Sequence, residues 1–151
     1  MARAAAVPES VRCALERILG APVGHVRVIE HSLLARLHGR AVATTRRNRI
    51  YLRGSAQEFF GNAALLLHEY CHVILQWQAG RLTVAGYLRE CLRHGYWNNR
   101  FEIEARAFAA RHVATLHALL AAPPSAQERL AAVQPPGDEH QHRPHGERRQ
   151  H

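Results

Sequence analysis

Leu65-Leu66-Leu67-His68-Glu69-Tyr70-Cys71-His72-Val73-Ile74-Leu75 is the stretch on which the reading of this chain turns. Apolar residues crowd both ends, and two histidines and a glutamate stand between them. Residues four apart on a helix lie one above the other, so a helix through this stretch points His68 and His72 to the same side. Two imidazoles placed in this way can hold one zinc ion (Zn2+) at about 2.0–2.1 Å each. Glu69 is rotated about 100° from His68, which is out of line for a ligand but close to a water beside the metal. That is the position of a general base, because zinc brings the pKa of such a water down to about 7 and a carboxylate can take its proton. The competing reading is a pair of core histidines bonded to backbone or carboxylates, since polar groups in so apolar a helix must be satisfied in some way.

A metal site needs a third ligand, and the candidates are Cys71, His94, Glu102, Glu104 and His112. Phe101, Ala105, Phe108, Ala109, His112, Leu116 and Leu119 form one stripe at helical spacing. Glu102 stands on the edge of that stripe and points inward, whereas Glu104 lies about 100° from its centre and points sideways. A carboxylate in the first turn also suits the helix dipole. Buried without a cation it would be costly, and zinc supplies one. The alternative partner is an arginine such as Arg100 or Arg106. Cys71 reads as a small buried thiol.

Working outward, residues 8–19 have helical spacing and end at Gly20. Residues 25–29 suggest a short strand. Ser32 is positioned to cap a brief helix over 33–37. Residues 41–45 and 49–52 suggest a hairpin around Arg46-Arg47-Asn48. Ser55 to Glu58 fits a capping box, Gly61-Asn62 interrupts the helix that follows, and the main helix covers 63–79. Further helices cover 84–93 and, capped by Asn98 or Asn99, run to about residue 120. This order, a helix, a small sheet and then three helices, predicts an α+β domain over residues 1–121. From Pro123 the chain turns rich in Pro, His, Gln and Arg, so residues 122–151 read as a disordered tail.

Composition limits the partners. The 151 residues carry a formal charge of +8. The basic residues are all arginines, and six of them lie between Arg36 and Arg53 without an acid among them. Uniform arginine use reads as a solvated face before a nucleic-acid site. No run of apolar residues is long enough for a membrane span, and the first ten residues do not read as a secretory signal. The expected location is therefore cytoplasmic. Three cysteines, far apart, form neither a disulfide framework nor a four-cysteine zinc site.

Phe101-Glu102-Ile103-Glu104-Ala105-Arg106-Ala107-Phe108-Ala109 resembles the glutamate helix of small gluzincin-type zinc peptidases, in which the first Glu of a F-E-x-x-A-D-x-F-A motif binds zinc. Together with H-E-x-x-H, this implies a minimal zincin-like domain with Glu102 as third ligand. Val26 to Val28, the hairpin from Ala43-Thr44 to Tyr51-Leu52, and Leu67 to Gln76 further resemble the eCIS core domain. That is a metallopeptidase-type domain found with bacterial extracellular contractile injection systems. The resemblance covers roughly residues 24–112 and implies association with such a system and delivery by it. Arg106 stands where many gluzincins have an aspartate that supports a zinc histidine, which leaves the orienting residue open, with Glu104 one candidate.

Peptide hydrolysis needs an activated water, a proton for the leaving amine and a donor for the oxyanion. Zinc and Glu69 supply the first two. Tyr96 is the chosen donor over His94, because a phenol donates at neutral pH. Residues 49–52 offer a strand edge for an extended peptide or protein substrate. The rival functions are a non-catalytic zinc-binding interaction module and an arginine-rich nucleic-acid-binding regulator.

Overall fold

A computed structural model describes residues 2–32 and 43–122. The expected helix over 33–37, the first two residues of the expected strand over 41–45, and the tail from 123 lie outside these residues. The described part is α+β, with one four-stranded mixed sheet and several helices.

Strand β1 (Arg3–Ala5) leads into helix α1 (Glu9–Leu19). Val11, Ala14, Leu15 and Leu19 of α1 are buried, the stripe that helical spacing requires. Gly20 closes the helix at φ 66° and returns its N–H to the Glu16 carbonyl, a left-handed position that favours glycine. Strands β2 (Arg27–Glu30), β3 (Ala43–Arg46) and β4 (Arg49–Leu52) complete the sheet in the order β1-β2-β4-β3. The two outer pairs are antiparallel, and β2 runs parallel to β4. The expected hairpin thus exists, but its second strand is interior. Residues 49–52 are held on both sides, and the edges among the described residues are β1 and, in the hairpin, β3. Val28, Ile50 and Leu52 turn into the core.

Ser55 opens helix α2 (Ala56–Gly61) through the capping box with Glu58. Asn62 then caps helix α3 (Ala63–Tyr70), its Oδ1 accepting from the Leu65 N–H at 3.0 Å. The single helix expected over 63–79 changes register at Tyr70: Cys71–Gln78 is π-helical. π-helical turns are rare and concentrate at functional sites. Leu66, Leu67, Tyr70 and Val73 pack with no exposure into the core beside Leu15, Ile50 and Leu116. Thr83 caps α4 (Val84–His94), which has no buried residue. Asn99 caps α5 (Arg100–Ala121), whose buried face is Phe101, Glu102, Ala105, Ala109 and Leu116. No helix among the described residues is long and apolar enough to cross a membrane.

Asn62 starts the helix that carries His68, so Asn62→Ala should cost about 1 kcal/mol, the usual worth of an N-cap. Asn62→Asp should be nearly neutral. Urea unfolding of the two variants checks this.

Candidate metal centre

His68 and His72 project from consecutive turns of the α3–π segment, and Glu102 faces them from the first turn of α5. Their ligand atoms all lie within 4.8 Å of one another, close enough to hold a metal ion. His68 Nε2 is 3.1 Å from His72 Nε2. The Glu102 oxygens stand 3.2 Å from His68 Nε2 and 3.5 Å from His72 Nε2. A tetrahedral ion with bonds of about 2.0–2.1 Å has ligand–ligand edges of about 3.3–3.4 Å, so the triangle has the right size. Glu102 is 3% exposed, and its Oε2 has no hydrogen-bond donor. An anionic oxygen with no donor, beside two ring nitrogens, is suited to a cation.

The hydrogen-bond network around Gln76 determines which histidine atom faces the centre. The Gln76 side chain is fully buried, and its Nε2 donates to the Phe101 carbonyl at 3.0 Å and to Glu104 Oε2 at 3.2 Å. These bonds turn Gln76 Oε1 toward His72 Nδ1, 2.7 Å away. Because an amide oxygen only accepts, Nδ1 carries the proton, and His72 Nε2 is left with its lone pair toward the centre. Gln76 therefore orients His72, and Glu104, the candidate for that role, acts one step further out: it bonds the Gln76 amide and pairs with Arg81 at 2.7 Å. This arrangement compensates for Arg106, which turns away to the Trp97 carbonyl.

The hydrogen bond on Glu102 was not anticipated from sequence either. Tyr87 donates its hydroxyl to Glu102 Oε1 at 2.8 Å. Tyr96, the expected oxyanion donor, lines the same cleft with its hydroxyl toward Glu102. Burial and the neighbouring Glu102 raise both phenols, so both stay protonated donors. The other ligand candidates fall away. His94 is exposed, and the His112 ring packs on Phe108. Cys71 is buried, its thiol pushed up to about 12 by desolvation. Arg100 sits 3.8 Å from Glu90, away from Glu102.

The centre forms the floor of a cleft of about 320 Å³, walled by β3 on one side and by Val84, Tyr87 and Leu88 of α4 on the other. Glu69 lines the cleft beside the two histidines and is 5% exposed. Burial raises its carboxyl, against the pull of His72 and His68. Burial would also raise Glu102, but the adjacent His68 and His72 rings and the hydrogen bond from Tyr87 outweigh it and hold Glu102 well below the usual carboxylate range. His72 shows the reverse balance: burial lowers it, and Glu102 and Glu69 raise it on the whole.

Two predictions follow from this network. Gln76→Leu should keep all three ligand side chains yet weaken metal binding about 10- to 100-fold, the usual effect of losing a ligand's orienting partner. Competition with a chelator of known affinity measures this, and unchanged affinity would remove Gln76 from the site. The second concerns pH. In metal-free protein, His72 and Glu69 hold more protons folded than unfolded. Their contribution is complete below the ordinary values of 6.5 and 4.5 and is lost as pH rises through the raised ones. Glu102, lowered, contributes above 4.5. Metal-free protein should therefore melt highest in mildly acidic buffer. Metal loading should reverse the trend toward pH 8, because the ligands must be deprotonated. Melts with chelator and with zinc check this; parallel curves would mean that the three groups share no cation.

Residues 6–80 match the model of the eCIS core domain family. No curated protein and no solved structure matches the chain. The matched segment runs from the end of β1 through the sheet to the end of the π-helical turn, so it includes His68, Glu69, His72 and Gln76 but stops short of Glu102. The match supports the eCIS core family for this part of the chain.

Proposed function

We propose that the protein is a zinc-dependent peptidase of zincin-like build, with His68, His72 and Glu102 holding the metal and Glu69 serving as general base. The observation that carries this reading is the position of the three-ligand triangle on the floor of an open cleft with a free carboxylate beside it. Structural zinc sites are closed by four protein ligands, whereas catalytic sites keep a position open. Two imidazole nitrogens and one carboxylate oxygen are also a donor set that zinc accepts in hydrolytic enzymes. When bound, zinc supplies Lewis acidity toward the attacking water and the peptide carbonyl.

The chain's own residues do the rest. Glu69 takes the proton from the water and returns it to the leaving amine. Tyr96 donates a hydrogen bond to the oxygen of the developing tetrahedral centre. Tyr87 holds Glu102 through its Oε1, and Gln76 holds His72 through Nδ1. Strand β3, rather than β4, is the edge along which an extended substrate backbone can pair. The eCIS core domain match supports a link to contractile injection systems.

Zinc content of the full chain, with His68→Ala as the reference for metal held elsewhere, should differ by one ion per chain. Glu69→Gln should retain that ion and its melting temperature while cleavage of a peptide library falls about 10² to 10⁴-fold, a general-base effect. Tyr96→Phe should lower cleavage by about 10² with zinc unchanged. Equal cleavage by wild type and Glu69→Gln would sink the peptidase reading. Zinc retained by Glu102→Ala with wild-type affinity would sink the ligand set.

A further inference from the structure

Beyond the metal centre, the cleft opens past Arg46 into a second, wider basin of about 780 Å³. Arg46, Trp77, Leu82 and Val84 line both cavities, so the two are continuous. The basin is lined by Arg27, Arg46, Arg47 and Arg49 together with His25, and no carboxylate lines it. Among the described residues none of these four arginines pairs with an acid. In sequence, no acid occurs between Glu30 and Glu58.

Sheet register makes the cluster unusual. Arg27 is the direct cross-strand partner of Arg49 on β2–β4, and Arg49 is the direct partner of Arg46 on β4–β3. Three arginines thus stand in one row across three strands, and like charges directly opposed in a sheet repel. The row is held together by polar contacts elsewhere. Asn48, at φ 56°, turns the hairpin, and its carbonyl accepts from the Arg27 N–H at 2.8 Å. Gln78, the last residue of the π-helical segment, donates to Asn48 Oδ1 at 3.0 Å and contacts His25. The N-terminus of α4 at Thr83 and Val84 opens on the same basin and adds a second preference for negative charge.

We propose that this basin is the binding site for an acidic stretch of polypeptide, its Asp and Glu side chains paired with Arg27, Arg46 and Arg49. This rests on the peptidase reading for its setting. A substrate lying along β3 leaves the metal centre past Arg46 and enters the basin within a few residues, so the row selects substrates with acidic residues on that side of the scissile bond. Arginine's planar fork suits carboxylates in such a row.

The test is binding, so it does not depend on turnover. The probe is a fluorescein-labelled Asp-Ser repeat peptide, and the protein is full-length Glu69→Gln with its zinc content measured in the same sample. Anisotropy should show the acidic peptide bound at least about tenfold more tightly than its Asn-Ser counterpart, an effect that several exposed ion pairs can supply and that salt screens. Arg46→Gln/Arg49→Gln should abolish the preference without lowering the melting temperature, since it relieves repulsion. Arg17→Gln/Arg111→Gln, which removes the same charge away from both cavities, should leave the preference intact. Equal binding of the two peptides, or loss of binding equally in both double variants, would overturn the proposal. So would a single-stranded oligonucleotide of equal charge binding more tightly than the acidic peptide. An acidic preference in protein that holds no zinc would keep the basin and overturn the peptidase reading; zinc retained with no acidic preference would do the reverse.

Discussion

Two imidazole nitrogens and a carboxylate, one of whose oxygens has no donor, converge within 3.5 Å of one another on the largely buried floor of a cleft, and much of the structure is arranged around that convergence. A carboxylate as buried as Glu102 is expensive unless compensated. The compensation comes from several elements at once: Tyr87 from α4, His68 and His72 from the α3–π segment, and the first turn of its own helix. Breaking any one of these leaves the charge on Glu102 partly unpaired. The site therefore depends on helices that are far apart in sequence being correctly packed.

The π-helical stretch accounts for part of that packing. Widening the helix after Tyr70 places Gln76 where one side chain reaches His72, the Phe101 carbonyl and Glu104 together. The same segment ends at Gln78, which ties down the hairpin turn at Asn48. One irregular helix thus connects the candidate metal centre to α5 on one side and to the arginine row on the other. A polar network of this kind is favourable only when its members are satisfied. The amide of Gln76 meets that condition, with both its oxygen and its nitrogen engaged.

What could be read from sequence was what is local. His68 and His72 are one helical turn apart, so their common direction follows from spacing alone, and the inward turn of Glu102 follows from its place beside Ala105 and Ala109. The Ser55 and Asn99 caps were legible for the same reason. Non-local relations were not. Three residues, Arg3 to Ala5, form a strand only because they pair with β2. Whether residues 49–52 lie at an edge depends on the parallel pairing of β4 with β2, which no turn signal announces. Gln76 carries no mark of its role in sequence, because its partners at Phe101 and Glu104 are more than twenty residues away. Tyr87 likewise meets Glu102 across the connection between two helices.

Helix α4 forms one wall of the cleft with little burial of its own. It has no buried residue, and Val84, Leu88 and Leu92, spaced four apart, remain exposed. Apolar burial therefore contributes little to its attachment. Among the polar contacts that hold it are the bond from Tyr87 to Glu102, those from Asn99 to the Tyr87 carbonyl and Cys91 Sγ, and the ion pair of Glu90 with Arg100. Elements with few buried contacts lie at the low end of local stability. One of the bonds that seats this wall of the cleft ends on a proposed metal ligand. A cation that orders Glu102 also steadies Tyr87, and through Tyr87 the wall. The candidate metal centre and this wall of the cleft are thus joined through the Tyr87 hydroxyl, so a change in the charge on Glu102 is felt at α4.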